Sequence, residues 1–291
     1  MRTEGLTKHF GDIRAVDDLD LVIERGEVFG YLGPNGAGKT TTIRLLLDFL
    51  RPTRGTATVL GGSGGDPEIR RRIGYLPGDL HLDPTYSAAD VIEFFGSLRG
   101  GVDRGWVDGL SERFGLDPTR PVGELSTGNR RKVGLVQAFM SRPELLLLDE
   151  PTSGLDPLLQ HEFNSLVREV VAEGATVLLS SHVLPEVEAL AERVGIVRQG
   201  RLVAVAGVEE LRQTARQRLD LHVAGPVTDA DLARFRAVPE VAEVTAGAGV
   251  VHVVVVGSVD GVVKAAATLN VQRIMTHESD LEDVFLRYYT S

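Results

Sequence analysis

VFGYLGPNGAGKT, at residues 28–40, predicts both a fold and a binding site. Val28–Leu32 is an apolar run typical of a buried strand, and apolar residues recur at helical spacing from Thr41 onward. Between them, residues 33–40 fit the pattern of glycines, lysine and hydroxyl that defines a P-loop. The glycines let backbone N–H groups turn toward phosphate oxygens, and the following helix adds its positive N-terminal end. The stretch therefore predicts a nucleotide-phosphate site on an α/β fold.

The residues expected to hold the nucleotide form one continuous segment. Lys39 is expected on the β- and γ-phosphates, and the Thr40 hydroxyl on Mg²⁺. A chance match to the pattern is expected on the order of once per hundred chains of this length, so the functional interpretation is favoured. The predicted phosphate-binding residues are Gly33, Pro34, Asn35, Gly36, Ala37, Gly38, Lys39, Thr40 and Thr41.

Two acidic residues, Asp149 and Glu150, follow the apolar run Leu145–Leu148. An unpaired buried carboxylate costs free energy, and a bound Mg²⁺ would compensate it. We expect Asp149 to hold the metal directly or through water, and Glu150 to activate the water that attacks the γ-phosphate. Taken alone, the pair is equally a solvated strand end. The P-loop upstream favours the catalytic interpretation.

The order of the remaining elements predicts the domain organisation. Strands that alternate with helices indicate a mostly parallel α/β sheet in a first domain over residues 1–215, with a helical subdomain at about 80–140. A small α+β domain is expected over residues 216–291. Its predicted elements are strands at 219–223, 241–244 and 250–256 and helices at 228–236 and 261–269. In the first domain, further strands are predicted at Thr176–Leu179 and in a hairpin over Val194–Val205 that turns at Gln199-Gly200.

Three helix starts carry their own sequence signals. Asp66-Pro67 and Asp156-Pro157 each place a capping residue before a proline in the first helical turn. Ser87, with Asp90 three residues later, resembles a capping box in which Asp replaces the usual Glu or Gln. We therefore expect helices to begin at these three points.

Composition limits the classes of function. The chain has 291 residues, 43% of them hydrophobic, a formal net charge of −10 and no cysteine, which excludes disulfides and thiol chemistry. The acidic balance and the lack of a long Lys/Arg run disfavour a nucleic-acid partner. No secretory leader is visible, and the longest apolar runs are much shorter than the roughly 20 residues that span a bilayer. We expect a soluble, cytoplasmic chain.

Several further segments resemble the nucleotide-binding subunit of an ABC transporter, over residues 1 to about 215. Leu125-Ser-Thr-Gly-Asn129 resembles the signature loop of that family, and Ser153-Gly-Leu-Asp156 resembles its D-loop. Ser180-Ser-His182 is similar to the segment that carries the switch histidine. Phe10 lies where the family places an aromatic ring that stacks on adenine. Ordered segments at family-like spacing make the resemblance specific.

The resemblance implies ATP and Mg²⁺ as cofactors and two copies of the chain that sandwich two ATP molecules. Ser126 and Gly128 would complete the ATP site of the partner copy, and His182 would position the γ-phosphate. Without the resemblance, Leu-Ser-Thr-Gly is a helix N-cap, Phe10 a core residue and His182 structural. The basic residues that follow are interpreted as a solvated helix face: Arg130, Arg131 and Lys132.

Two departures from the family pattern are visible. In the signature loop, Thr127 replaces the first glycine and Asn129 takes the last place. The family normally has a metal-contacting glutamine where this chain has Gly78, followed by Asp79. Glycine offers no side-chain ligand, so we hypothesise that fewer protein groups hold Mg²⁺ and that hydrolysis is slower or more tightly gated.

The chain terminus and one helical region point to a membrane partner. A small α+β tail that ends in Asp280-Leu-Glu-Asp-Val-Phe-Leu286 resembles that of drug- and antibiotic-type ABC exporters, whose membrane part is usually a separate chain. The resemblance implies a membrane-spanning permease subunit as partner and a peripheral location on the inner face of the cell membrane. The permease would dock at residues 80–100, where Phe94 and Phe95 are equally interpretable as core.

The leading interpretation is thus an ATP-hydrolysing transporter subunit that powers export of a small or lipophilic compound. Three alternatives stay open at this point. They are a soluble ABC-type ATPase acting on ribosomes or DNA, a P-loop kinase for a small metabolite, and a regulator that binds ATP without hydrolysing it. The kinase alternative leaves the signature-like loop and His182 unexplained, and the intact carboxylate pair argues against the regulator.

Overall fold

The structure, a computed structural model, describes residues 1–214 and 216–277 of the chain. The predicted tail segment at 280–286 lies outside the described residues. Contacts divide the chain into two compact units, with the boundary between Val205 and Ala206. This boundary lies before residue 215 because the helix over Val208–Thr214 groups with the second unit.

The strands of the first unit form two sheets. In chain order they are β1 (Arg2–Phe10), β2 (Ile13–Val22), β3 (Val28–Leu32), β4 (Arg54–Thr58), β5 (Ile73–Leu76), β6 (Leu145–Asp149), β7 (Thr176–Ser181), β8 (Arg193–Arg198) and β9 (Arg201–Gly207). A six-stranded sheet has the order β5-β6-β7-β3-β8-β9, and its neighbours from β5 to β8 pair in parallel. The predicted parallel sheet is therefore confirmed.

Apolar residues fill the centre of this sheet. All five residues of β3 and all five of β6 are buried, as a parallel sheet covered on both faces requires. The polar residues of these strands lie at carboxyl ends, where Asp149 pairs across β6 and β7 with Ser180. Parallel strands bring their carboxyl ends to one edge, so the residues that follow β3, β6 and β7 meet there.

The second sheet of this unit is antiparallel and has the order β2-β1-β4. The sequence did not predict β1, because its alternation is irregular. Pairing between β1 and β2 shifts register repeatedly, and Gly5 has a φ of 54°. Two of its buried positions are occupied by Thr3, whose hydroxyl donates to the Leu19 carbonyl of β2, and by Thr7, whose hydroxyl donates to the Gly5 carbonyl of β1 itself.

Among the described residues the first unit has seven α-helices, and three of them begin where the capping signals predict. The seven helices are α1 (Lys39–Leu46), α2 (Pro67–Arg71), α3 (Ala88–Leu98), α4 (Arg104–Arg113), α5 (Thr127–Phe139), α6 (Pro157–Ala172) and α7 (Leu184–Glu188). Asp66, Ser87 and Asp156 cap α2, α3 and α6, and Ser87 forms the predicted capping box with Asp90. Hydrogen bonds from Ser87 to the Asp90 carboxylate lower the pKa of that acid.

The second unit is an α+β unit, as predicted. Its elements are α8 (Val208–Thr214), β10 (Arg216–Val223), α9 (Asp229–Arg236), β11 (Val241–Gly247), β12 (Val250–Val256), α10 (Asp260–Ala266) and β13 (Val271–His277). The four strands form one sheet in the order β11-β12-β10-β13, and its core includes Phe235 and Val253. The sequence did not predict β13, because this edge strand is mostly exposed and lacks an apolar alternation.

Candidate functional site

The glycine-rich turn joins the carboxyl end of β3 to the first residue of α1. Gly36 and Gly38 have φ values of 80° and 103°, which other residues rarely adopt. A Cβ at Gly38 would lie 2.2 Å from the Ala15 carbonyl oxygen, and one at Gly33 would lie 2.4 Å from that of Val197. These glycines are therefore required by the loop geometry and by close backbone packing, as a phosphate-binding loop demands.

Lys39 is buried at the base of this loop, with 6% of its side chain exposed. Its ammonium donates hydrogen bonds to the carbonyl oxygens of Gly33 at 2.6 Å and Pro34 at 3.3 Å. The same nitrogen lies 3.2 Å from Glu150 Oε1. The loop thus holds a buried positive charge against the carboxylate that follows β6.

Asp149 is completely buried and is held by two hydroxyl groups. Thr40 Oγ1 donates to Asp149 Oδ2 at 2.6 Å, and the Ser180 hydroxyl donates to the other carboxylate oxygen. The first contact joins residues that are 109 positions apart in sequence. The structure therefore places the two predicted metal ligands in direct contact.

Glu150 occupies a left-handed backbone conformation, with a φ of 49°. Its Oε2 lies 2.8 Å from His182 Nδ1, which brings the predicted switch histidine directly to the predicted base. Its Oε1 is buried and, among the described residues, has no hydrogen-bond partner besides the ion-pair contact to Lys39. A non-glycine residue with positive φ is typical of a functional site whose surroundings enforce the strain.

The donor set at this edge suits a hard cation that shares its coordination shell with a nucleotide. Among the residues that the structure describes, no cluster of three or more acidic or histidine side chains could enclose a metal. Thr40 and Asp149 instead supply two adjacent oxygen donors. Mg²⁺ is usually bound by one or two protein oxygens together with substrate phosphates and waters, so these residues fit it.

Gly78 lies beside the same carboxylate. A Cβ built at this position would be 3.1 Å from Asp149 Oδ2 and 3.4 Å from its Cγ. Any side chain at residue 78 would therefore start toward Asp149. Because Gly78 has no side chain, residue 78 offers no ligand next to the Asp149 carboxylate. The side chain of the following residue, Asp79, is exposed.

Arg131 corrects the interpretation of the basic run as a solvated face. Only 5% of it is exposed, and its guanidinium donates to backbone carbonyls near the site instead of to solvent. Burial lowers the pKa of this guanidinium, while the charges of Asp149 and Glu150 oppose that change. No sequence pattern signals this burial, because helical spacing alone does not show which residues of α5 face the site.

The N-terminus of α5 carries the signature-like loop. Ser126 is exposed and caps the helix, with its hydroxyl accepting from the Asn129 N–H at 3.3 Å. A Cβ at Gly128 would lie 2.9 Å from the carbonyl oxygen of Gly154, in the D-loop-like segment. The N-cap interpretation is thus confirmed, and the two family-like loops lie against each other. Within this chain, Ser126 remains free to face another molecule.

Phe10 is at the end of β1 and is 46% exposed, so it is not a core residue. The Lys8 ammonium lies 5.1 Å from its ring centroid. The adenine-stacking role of Phe10 stays a prediction.

An exposed apolar surface lies on α3 and the preceding loop. Phe94 is 58% exposed and Phe95 half-buried, with ring centroids 5.4 Å apart in an edge-to-face contact. Tyr86 is also exposed, and a cavity of about 310 Å³ opens between this loop and α3. The alternative that Phe94 is a core residue is therefore wrong.

These features define a P-loop nucleotide hydrolase: a parallel sheet whose carboxyl edge gathers a glycine loop, a buried lysine and paired carboxylates. The family model described as "ABC transporter" matches residues 16–153 of the chain. The daunorubicin resistance ATP-binding protein of Streptomyces coeruleorubidus is 41% identical over 75% of this chain and 72% of its own length. The bacitracin transport ATP-binding protein of Bacillus licheniformis is 34% identical over 77% of this chain and 74% of its own.

A solved dimeric structure of a bacterial ABC transporter cassette shares the fold, with a TM-score of 0.64 and 23% identity. The matched region covers 71% of this chain and 98% of the solved one. The chain belongs to the ABC transporter family, and it is an ATP-binding, ATP-hydrolysing subunit of a transporter of this family. This membership confirms the resemblance, the fold class and the ATPase prediction, and it favours the transporter interpretation over the three alternatives.

Proposed function

We propose that the carboxyl edge of the parallel sheet binds and hydrolyses ATP with Mg²⁺. The observation that carries this proposal is a set of contacts at this edge: Lys39 and His182 both contact Glu150, and Thr40 bonds to the adjacent Asp149. Backbone N–H groups of residues 35–41 would surround the phosphates, and Lys39 would neutralise their charge. Thr40 and Asp149 would hold Mg²⁺, which neutralises charge on the transferred phosphoryl group.

Glu150 is proposed as the general base for the attacking water. Its carboxylate lies between the Lys39 ammonium and the His182 ring, so both its position and its charge are set by neighbours. A water that donates to the Glu150 carboxylate would transfer its proton there as it attacks the γ-phosphate. His182 would orient Glu150 and contact the same phosphate.

Two copies of the chain are proposed to share each ATP site. Ser126 and Gly128 lie at the exposed N-terminus of α5, where a hydroxyl and N–H groups suit a phosphate bound by a second copy. The dimeric cassette that shares this fold supports the arrangement. ATP would close the dimer, and hydrolysis would reopen it.

Light scattering tests the shared site. Glu150→Gln should be monomeric without nucleotide and dimeric with ATP and Mg²⁺, because ATP bound but not hydrolysed would hold the interface closed. The matched control, Glu150→Gln combined with Lys39→Met, should stay monomeric in both conditions. A Glu150→Gln protein that binds ATP yet stays monomeric would contradict the ATP-closed sandwich.

Coupling to a membrane-spanning permease, a separate chain, is the proposed purpose of the ATPase cycle. Among residues 1–214 and 216–277, no helix is both long and apolar enough to cross a bilayer. The exposed apolar surface on α3 would receive a cytoplasmic segment of the permease, and the chain would then lie on the inner face of the membrane. The similarity to the daunorubicin resistance and bacitracin transport proteins supports the proposal that the exported compound is small or lipophilic and antibiotic-like.

The role of Gly78 leads to a prediction about metal dependence. Gly78→Gln places an amide oxygen beside Asp149, so half-maximal activity should need roughly threefold to tenfold less Mg²⁺. Gly78→Ala is the matched control, since it adds a Cβ without the amide. ATPase rates measured across a Mg²⁺ titration give the comparison. Equal Mg²⁺ dependence in Gly78→Gln and the unaltered chain would refute the hypothesis that fewer protein groups hold the metal.

A further inference from the structure

The guanidinium of Arg131 is saturated by main-chain oxygens. Its Nε donates to the Pro151 carbonyl at 3.3 Å, and Nη1 donates to the carbonyls of Pro77 at 2.6 Å and Gly78 at 3.0 Å. Nη2 donates to the Asp149 carbonyl at 2.7 Å and also to that of Glu150. A guanidinium has five N–H groups, and five carbonyl oxygens accept from them here. These carbonyls belong to Pro77, Gly78, Asp149, Glu150 and Pro151.

The contacts join three separate segments of the chain. Arg131 lies in α5, the carbonyls of Pro77 and Gly78 follow β5, and the other three lie at the last residue of β6 and just after it. Burial of a cation is costly unless it is compensated, and here carbonyl dipoles compensate it without a direct carboxylate contact. Lysine could not replace these bonds, since it has three donors in a different geometry.

The backbone of Glu150 is fixed from both sides. Its N–H donates to the Ser180 carbonyl at 3.0 Å, and its own carbonyl accepts from Arg131. Between these two bonds, Glu150 keeps its φ of 49°, the conformation that directs its carboxylate toward Lys39 and His182. Without the guanidinium, the Glu150 carbonyl would keep only the longer bond from the Ser153 N–H, at 3.2 Å, among the described residues.

We propose that Arg131 is a positioning residue for ATP hydrolysis, which holds Glu150 in its left-handed conformation and ties the Gly78 loop to it. The inference rests on the proposed role of Glu150 as the base. The helix of Arg131 is capped by Ser126, which would serve the partner's nucleotide in the proposed dimer, whereas Glu150 would serve the nucleotide of its own chain.

The conservative variant Arg131→Lys tests the proposal. It should lower kcat for ATP hydrolysis roughly tenfold to hundredfold, because a small misplacement of a catalytic group is sufficient for such a loss. The Kd for ATP, measured by equilibrium binding, should stay within about twofold, since Lys39 and the glycine loop are unchanged. Arg130→Lys, at the preceding residue of the same helix, is the matched control and should keep the original kcat.

A double variant separates positioning from general destabilisation. If Arg131 acts through Glu150, adding Arg131→Lys to Glu150→Gln should leave the residual rate unchanged, because the oriented carboxylate is already missing. A further fall in the residual rate, or a loss of ATP binding in Arg131→Lys, would overturn the inference. The inference would also be overturned if Arg131→Lys kept the original kcat although Glu150→Gln had lost its activity. Near-normal turnover in Glu150→Gln itself would instead overturn the proposed function.

Discussion

Replacing Glu150 by glutamine is expected to lower kcat for ATP hydrolysis by roughly 10²–10⁴-fold while ATP binding persists. The amide keeps the size of the side chain but cannot accept a proton from the attacking water. Lys39 and the glycine loop, which hold the phosphates in the proposed site, are unaltered. Steady-state phosphate release and equilibrium ATP binding, measured on the same protein, provide the two values.

A second glutamate provides the control for this substitution. Glu144 immediately precedes the same strand, β6, and pairs with Arg72 at 2.7 Å, away from the glycine loop. Glu144→Gln should therefore leave kcat nearly unchanged. Turnover of Glu150→Gln close to that of Glu144→Gln would remove Glu150 from the role of base and leave the left-handed conformation of its backbone without a catalytic explanation.

Replacing Lys39 by methionine is expected to weaken ATP binding roughly 30-fold to 1000-fold. Methionine has a similar volume, so the loss reports on the charge and not on a cavity. In the part of the chain that the structure describes, the buried ammonium contacts the carbonyls of Gly33 and Pro34 and the carboxylate of Glu150. Without it, the phosphates would meet the Glu150 carboxylate with no compensating cation. Equilibrium binding of ATP measures the effect.

An exposed lysine of the second unit is the control for Lys39. Lys264 pairs with Asp260 at 2.6 Å on the surface of α10, so Lys264→Met should bind ATP as the original chain does. A measurement of Tm should show both variants folded. Equal ATP affinity in Lys39→Met and Lys264→Met would contradict the placement of the phosphates at residues 33–41.

The sequence predicted the main parts of the candidate site because each has a local signature. The glycine pattern, the apolar strand before it and the acids after β6 are all visible within a few residues. Parallel pairing of β6, β7 and β3 then explains why residues after these strands meet. The contact of Thr40 with Asp149 follows from this topology as much as from either motif.

The contacts of Arg131 and His182 could not be predicted from local sequence patterns. The carbonyl partners of Arg131 lie 18 to 54 positions away, so nothing within its helix distinguishes it from Arg130. His182 was predicted to contact a phosphate, and the structure adds its contact with Glu150 across 32 positions. The left-handed backbone of Glu150 likewise has no sequence signal, since glutamate rarely adopts it.

By itself, the sequence determined the α/β class, the position of the glycine loop, the acidic pair and three helix caps, because these depend on short-range periodicity and turn chemistry. The tertiary structure alone decided that β1 joins an antiparallel sheet, that Phe94 is exposed and that Arg131 is buried. Those outcomes depend on which distant surfaces meet. Burial and hydrogen-bond partners are properties of the packed chain, and a local pattern does not contain them.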